Sequence, residues 1–108
     1  MIKIDKFNNI EIIRGDTAII DLELENHKIV NGDTVHFSIK HNKYDSEAIL
    51  NKQFEKINNN TLKLFLTKED TKLEPGTYDY DIECRLDCEL IDTIFLGKFK
   101  VIGDVTNA

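Results

Sequence analysis

The feature that most limits how this chain can fold is the alternation of apolar and polar residues along short segments. Between Thr17 and Glu25, apolar residues occupy every second position, and Asp21, Glu23 and Glu25 alternate with them. Successive side chains of a β-strand point to opposite faces, so this period of two predicts strands with one buried and one exposed face. Residues typical of turns interrupt the alternation at short intervals. The pattern therefore predicts an all-β protein.

Seven segments show this alternation and predict seven strands. They are residues 9–13, 17–25, 34–40, 48–54, 61–66, 77–86 and 90–101. The alternation slips within the last segment, which predicts a β-bulge near Gly97. Thr67 and Asp70 have the spacing of a capping box and predict a single helical turn after the fifth strand.

Seven short strands with almost no helix are typical of an antiparallel β-sandwich. We expect an immunoglobulin-like arrangement, with the first, second, fourth and fifth strands in one sheet and the third, sixth and seventh in the other. Opposite charges favour the second sheet, because the acidic outer face of the sixth strand would lie between Lys40 on one side and Lys98 and Lys100 on the other. The 108 residues are expected to form one domain, with a core of about residues 9–102 and flexible termini.

The charge and hydropathy of the chain exclude several classes of partner. The chain has 14 Lys and Arg residues against 20 Asp and Glu residues, which is a formal net charge of -6. Proteins that bind nucleic acids present clustered basic residues, so we expect neither a nucleic acid nor an anionic membrane as partner. The longest apolar runs, such as Ile94-Phe95-Leu96, are too short to span a membrane, and the first residues lack the apolar stretch of a signal peptide. We therefore expect synthesis in a cytoplasm.

Residue types that often carry chemistry are present but isolated. His27, His36 and His41 have no nucleophile or carboxylate pattern around them, so we interpret them as surface histidines. Cys84 falls on the apolar face of the sixth strand and predicts a buried thiol; a disulfide with Cys88 is the alternative. No pattern of ligands for zinc accompanies the two cysteines. We therefore expect no enzymatic activity and no cofactor.

The acidic face of the sixth strand raises the question of a calcium site. Asp79, Asp81 and Glu83 offer oxygen ligands. Alternate residues of a strand, however, project in parallel about 7 Å apart, whereas calcium needs ligands that converge. We interpret these residues as a solvated face that pairs with lysines, and we expect no metal.

Two further motifs are interpreted as structural. Arg14-Gly15-Asp16 has the letters of an integrin-binding loop, but Gly and Asp before an alternating segment are typical of a turn. Tyr78 and Tyr80 follow Pro75-Gly76, the position of a tyrosine corner. The hydroxyl of such a tyrosine bonds the backbone a few residues upstream, so a role in locking the fold is expected.

The order of these turns and strands resembles the immunoglobulin-like N-terminal domain of phage baseplate upper proteins and related small virion proteins of phages and prophages. The residues that carry the resemblance are RGDT at 14–17, IDLEL at 20–24, GDTVHFSIK at 32–40, LFLTKEDT at 64–71, LEPGTYDYDI at 73–82 and LGKFKV at 96–101. Baseplate upper proteins continue into further domains, so the module alone would suit an accessory or decoration role.

The resemblance implies a non-enzymatic structural protein of the virion that acts through protein–protein contacts with other virion proteins, in multiple symmetric copies. It would be a tail or baseplate accessory protein or a capsid decoration protein, made in the cytoplasm of the bacterial host. The alternative is a free-standing adhesion or glycan-binding module.

The candidate contact residues are Asp21, Glu23 and Glu25. This acidic stripe has fewer lysines to neutralise it than the stripe on the sixth strand, chiefly Lys63, so it would meet a basic partner surface. Edge strands are natural docking sites as well. We expect the terminal segments 1–8 and 103–108 to become ordered on assembly.

Overall fold

The alternating segments form nine strands in the computed structural model, which describes residues 2–4, 8–23, 32–86 and 90–103. The strands are β1 (Ile2–Ile4), β2 (Ile10–Ile13), β3 (Ala18–Glu23), β4 (Thr34–Lys40), β5 (Leu50–Gln53), β6 (Glu55–Lys56), β7 (Thr61–Leu66), β8 (Gly76–Leu86) and β9 (Leu90–Ile102). Leu24 and Glu25, which the sequence assigns to the second strand, lie outside the described residues.

The strands form two sheets that pack face to face. The large sheet has the order β1-β2-β9-β8-β4-β5, and the small sheet has the order β3-β7-β6. Neighbouring strands are antiparallel, except that β2 runs parallel to β9. The predicted all-β, immunoglobulin-like sandwich is confirmed.

The predicted position of the first strand is wrong. This strand, β2, lies in the large sheet beside β9, with Ile10 opposite Phe99 and Ile12 opposite Val101. Alternation indicates which face of a strand is buried. Because the inner faces of both sheets pack against the same core, alternation does not indicate to which sheet a strand belongs. Glu11 lies opposite Lys100 in the observed register, which places opposite charges together.

The predicted fourth strand is also corrected, because it divides between the two sheets. Its first part, β5, pairs with β4 in the large sheet, and the following β6 pairs with β7 in the small sheet. Phe54 lies between the two parts, its backbone N–H donates to Val35 O at 2.8 Å, and its side chain is buried in the core. The chain therefore crosses from one sheet to the other at Phe54.

The expected neighbours of the sixth strand are confirmed. This strand, β8, lies between β4 and β9, so that Asp79 faces Lys40 on one side and Lys98 on the other. In the same register Asp81 faces Ser38 and Leu96. The pairing of charges across strands correctly identified this part of the large sheet.

A single cluster of buried side chains fills the space between the sheets. Phe37 is fully buried near its centre, with ring centroids 5.5 Å from Tyr80 and 6.0 Å from Phe99. Burial of the apolar side chains in this cluster is the main stabilising contribution to the fold. The inner-face members of the small sheet are Ala18, Ile20, Leu22, Leu62, Leu64 and Leu66.

The bulge of the last strand lies three residues before its predicted position. The register passes from Ile82 opposite Phe95 to Glu83 opposite Thr93, so Ile94 is the extra residue. Leu96, after the bulge, points outward and is 62% exposed.

Gly97 has a different role, because it allows a close approach of the backbone. A Cβ atom at Gly97 would collide with the carbonyl oxygen of Asn8 and would lie 2.9 Å from Cε1 of Tyr80. The Tyr80 hydroxyl donates a hydrogen bond to this same carbonyl of Asn8. Glycine is therefore required where the N-terminal segment crosses β9.

Part of the N-terminal segment 1–8 forms a strand. Ile2–Ile4 pairs with β2, with Lys3 opposite Glu11. That the segment becomes ordered on assembly stays a prediction. Residues 104–108 of the other terminus lie outside the described residues.

Candidate interaction surface

The turn that leads into β3 is built from Arg14-Gly15-Asp16, as the sequence predicts. Gly15 has a φ of 86°, in the left-handed region that favours glycine. The buried Thr71 donates its hydroxyl to Asp16 O at 2.7 Å, and Arg14 Nε donates to Leu73 O at 3.1 Å. These contacts hold the start of β3 against the turn that follows β7.

The predicted capping box after β7 is confirmed. Asp70 N donates to Thr67 Oγ1 at 3.2 Å, and Thr67 N donates to Asp70 Oδ2 at 2.9 Å. Lys52 Nζ donates to Asp70 Oδ2 at 2.6 Å and to Phe65 O at 2.7 Å, so β5 of the large sheet is tied to β7 of the small sheet. Burial alone would raise the pKa of Asp70, but the hydrogen bonds from Lys52 and Thr67 outweigh it and lower the pKa.

We call the outer face of the small sheet the small-sheet face. It presents two exposed apolar side chains at one end, Ile19 and Phe65, which lie directly opposite each other on β3 and β7. They are 51% and 48% exposed. The remaining residues of this face in the described strands are Asp21, Glu23, Glu55, Thr61 and Lys63.

The carboxylates of the small-sheet face outnumber its ammonium groups. Lys63 Nζ lies 3.4 Å from Asp21 Oδ1, with the Asp21 side chain 65% exposed, and Lys63 also faces Glu55 on its other side. Glu23 lies opposite Thr61 and is exposed. One lysine therefore serves three acidic residues within the described part of this face.

The structure brings two of the three predicted contact residues together. Asp21 and Glu23 both lie on the exposed side of β3, two residues apart. Glu25 lies outside the described residues. The strand that carries them is an edge of the small sheet, since β7 is its sole strand neighbour within the described ranges.

The acidic residues of the large sheet are in different surroundings. Lys98 Nζ donates to Asp79 Oδ1 at 2.5 Å, and the backbone N of Lys43 donates to Asp79 Oδ2 at 2.7 Å. These bonds hold the pKa of Asp79 below its usual value, with the Lys98 bond the main cause. Glu83 accepts a hydrogen bond from Arg85 Nε at 3.0 Å.

The predicted tyrosine corner is present on β8. The Tyr78 hydroxyl donates to Glu74 O at 2.5 Å, four residues upstream. Burial raises the pKa of Tyr78, and the negative charge of Glu74 adds to this. The ring of His41 lies against Tyr78, with centroids 5.5 Å apart, and His36 Nε2 lies 3.1 Å from Thr34 Oγ1.

The remaining candidate residues form no further site in the described ranges. Cys84 is buried on the inner side of β8, as expected, while Cys88 and His27 lie outside the described residues. No three His, Cys, Asp or Glu side chains among the described residues are placed to hold a metal ion together.

Two contributors to the small-sheet face, Ile19 and Phe65, were not identified from the sequence. A signal for them was present. Each interrupts the alternation at a polar position, within Ala18-Ile19-Ile20 and Leu64-Phe65-Leu66 respectively. An apolar residue at a position whose neighbours face the core is exposed by the geometry of the strand.

Comparisons with known proteins return no match for this chain, either among protein-family models or among curated sequences. Within the described ranges, no helix has the length and apolar character needed to cross a membrane.

Proposed function

We propose that this protein is a non-enzymatic structural component of a phage virion and acts by binding another virion protein through the small-sheet face. The observation that carries the proposal is the combination on one face of an exposed apolar pair, Ile19 of β3 with Phe65 of β7, and an incompletely neutralised acidic stripe, Asp21 with Glu23.

The small-sheet face has the composition of a contact surface. Protein–protein interfaces combine apolar side chains with polar groups. Here Ile19 and Phe65 supply the apolar contact, and the neighbouring carboxylates favour a partner with basic side chains. Binding would remove about half of each apolar side chain from water, which contributes favourably to association.

The assignment to a virion is supported by the resemblance to phage baseplate upper proteins. The segments that carry the resemblance form turns and strands of this sandwich: the glycine turn before β3, strand β4, the capped turn after β7 and the tyrosine corner of β8. We place the protein at the tail or baseplate as an accessory, or on the capsid as decoration, in several symmetric copies. It would be made in the cytoplasm of the bacterial host.

The test is to purify particles from the phage or induced prophage that encodes the chain, wash them at high salt and identify their proteins by mass spectrometry. We expect the chain in a fixed, repeated number of copies per particle. Its absence from washed particles would overturn the proposal. Binding of the isolated chain to host glycans, together with that absence, would favour a free-standing adhesion module instead.

A further inference from the structure

We propose that β3 binds its partner by strand addition, with an extended basic segment of another protein pairing antiparallel to the open edge of β3. This inference rests on the proposed function and deepens it, because it states how the small-sheet face is recognised and what chemistry the partner carries. It concerns the backbone of β3 as well as the side chains of Ile19, Asp21 and Glu23.

The backbone of β3 is available on one side. The strand pairs with β7 from Ala18 opposite Leu66 to Glu23 opposite Thr61, and in the part of the chain that the structure describes no strand lies on its other side. An edge strand directs alternate N–H and C=O groups away from its sheet, and an incoming strand can bond to them. Addition of a strand at such an edge is a recurring mode of peptide recognition.

The side chains of β3 specify which strand fits. Ile19, Asp21 and Glu23 lie on the same face at spacings of two residues. Directly opposite residues of an antiparallel pair interact most strongly, and opposite charges there are favourable. An antiparallel partner would therefore read Lys-x-Lys-x-Leu, with lysines facing Glu23 and Asp21 and leucine facing Ile19.

The existing ion pair leaves room for this partner. Lys63 approaches Asp21 from the β7 side, at 3.4 Å, with both side chains exposed. Such exposed pairs contribute little to stability and are screened by salt. Asp21 can therefore accept a second cation from its other side, where the added strand would lie.

A second copy of this chain does not fit the same edge. If two β3 strands paired antiparallel, outward residues would face outward residues, so Asp21 would lie opposite Asp21, Glu23 or Ile19. No such register brings a cation to either carboxylate, and like charges opposite each other are destabilising. The net charge of -6 adds repulsion between copies. The charge of the edge thus favours a different, basic protein.

The test uses the full-length, ¹⁵N-labelled chain and two synthetic peptides of identical composition. The first, Thr-Lys-Val-Lys-Val-Leu-Thr, has the proposed alternation; the second, Lys-Lys-Val-Val-Thr-Leu-Thr, does not. Both are acetylated and amidated, and binding is followed by amide chemical shifts and amide hydrogen exchange. The variant is Asp21→Lys/Glu23→Lys, and the matched control is Glu47→Lys/Glu74→Lys, which changes the net charge equally at exposed loop positions.

We expect the alternating peptide to bind more tightly than the shuffled one and to slow exchange at the β3 amides that do not bond to β7. Asp21→Lys/Glu23→Lys should weaken binding about tenfold, because two attractive pairs become repulsive. The control variant should bind within a factor of two of the unaltered chain.

Three results would each overturn the inference: no difference between the peptides, equal weakening by the two variants, or exchange protection on a strand other than β3. These results are separable from failure of the proposed function. A chain absent from washed particles that still binds the alternating peptide at β3 would remove the virion assignment and leave strand addition standing.

Discussion

The two outer faces of the sandwich are built from the same sequence pattern but have different electrostatic surroundings. On the large sheet, Asp79 is held by Lys98 and by the backbone of Lys43, and its side chain is only 15% exposed. On the small sheet, Asp21 is largely exposed and has a looser contact with Lys63. The same alternation of acidic and apolar residues thus leaves Asp79 held by groups of its own sheet and Asp21 largely open to a partner.

The difference follows from the number of strands beside each acidic strand. β8 has a neighbour on both sides and lies opposite a lysine on each, whereas in the described part of the chain β3 has one neighbour and one such lysine. The acidic side chains of a central strand can pair with cations on both neighbouring strands. An edge strand has cross-strand neighbours on one side only, so the positions on its other side stay open. The open positions beside Asp21 and Glu23 are where the proposed partner strand would lie.

The two sheets differ on their outer faces, but their inner faces pack into one shared core. The largest predicted losses of stability come from substitutions in this core. Phe37→Ala should lower the free energy of unfolding by about 3–5 kcal/mol and Leu64→Ala by about 2–5 kcal/mol, because each leaves a cavity in the shared core. Urea denaturation measures both. A loss below about 1 kcal/mol for Leu64→Ala would mean that the small sheet is not packed like the large one.

A smaller effect is expected where the large sheet holds the N-terminal segment. Gly97→Ala should lower the free energy of unfolding by about 1–3 kcal/mol, because the new Cβ collides with the carbonyl of Asn8. Gly103→Ala is the matched control, since its Cβ would meet Pro75 Cγ at an ordinary 3.6 Å. Thermal unfolding of the two variants checks this; equal shifts would contradict the close approach at Gly97.

Asp79→Asn tests the neutralised acidic stripe. At pH 7 the substitution should lower the free energy of unfolding by about 1 kcal/mol, because the charged hydrogen bond from Lys98 is lost. The pKa of Asp79 is lowered in the folded state, so its contribution is present above the unfolded pKa and is lost as the pH falls through the folded pKa. Urea denaturation from pH 7 down to about pH 2.5 should show the difference from the unaltered chain shrinking. A difference independent of pH would contradict this explanation.

Asp81→Asn should raise the free energy of unfolding at pH 7, whereas Asp79→Asn lowers it, although the two residues are only two positions apart on the same strand. Burial raises the pKa of Asp81, the negative charge of Glu83 adds to this, and Lys40 opposes it. Because the pKa of Asp81 is raised on folding, the contribution of its carboxyl to stability is most favourable below the unfolded pKa and is lost as the pH rises through the folded pKa. At pH 7 the substitution should therefore stabilise by about 0.5 kcal/mol, and the gain should disappear in acid. Destabilisation at pH 7 would refute this.

The smallest effect is expected on the small-sheet face. Asp21→Asn/Glu23→Gln should change the free energy of unfolding by less than about 0.5 kcal/mol, because the pair with Lys63 is exposed. Chemical denaturation of this variant beside Asp79→Asn measures the contrast directly. A larger loss for the small-sheet variant would mean that the stripe serves the fold and not a partner.

Much of the fold could be predicted because alternation and turn chemistry are local. The two faces of β8, the tyrosine corner at Tyr78 and the capped turn at Thr67 were all predicted correctly. The sheet of β2 and the crossing at Phe54 could not be predicted, because a period of two identifies a buried face but not the neighbouring strand. The requirement for Gly97 depends on Asn8, a contact between distant parts of the chain.

The site was predicted in part for the same reason. Asp21 and Glu23 were placed correctly on an exposed face because their positions alternate with buried residues. Ile19 and Phe65 were missed, because each lies between two apolar residues and the short apolar runs conceal which of them points outward. Only the pairing of β3 with β7 shows that the two residues lie opposite each other.

The most direct test of the central claim is to measure incorporation of variant chains into particles. Asp21→Lys/Glu23→Lys and its charge-matched control Glu47→Lys/Glu74→Lys are introduced into the genome that encodes the chain, and the chain in washed particles is quantified by mass spectrometry. We predict a loss of about tenfold for Asp21→Lys/Glu23→Lys and normal incorporation of the control. Equal incorporation of both variants would contradict the claim that the small-sheet face binds a virion partner.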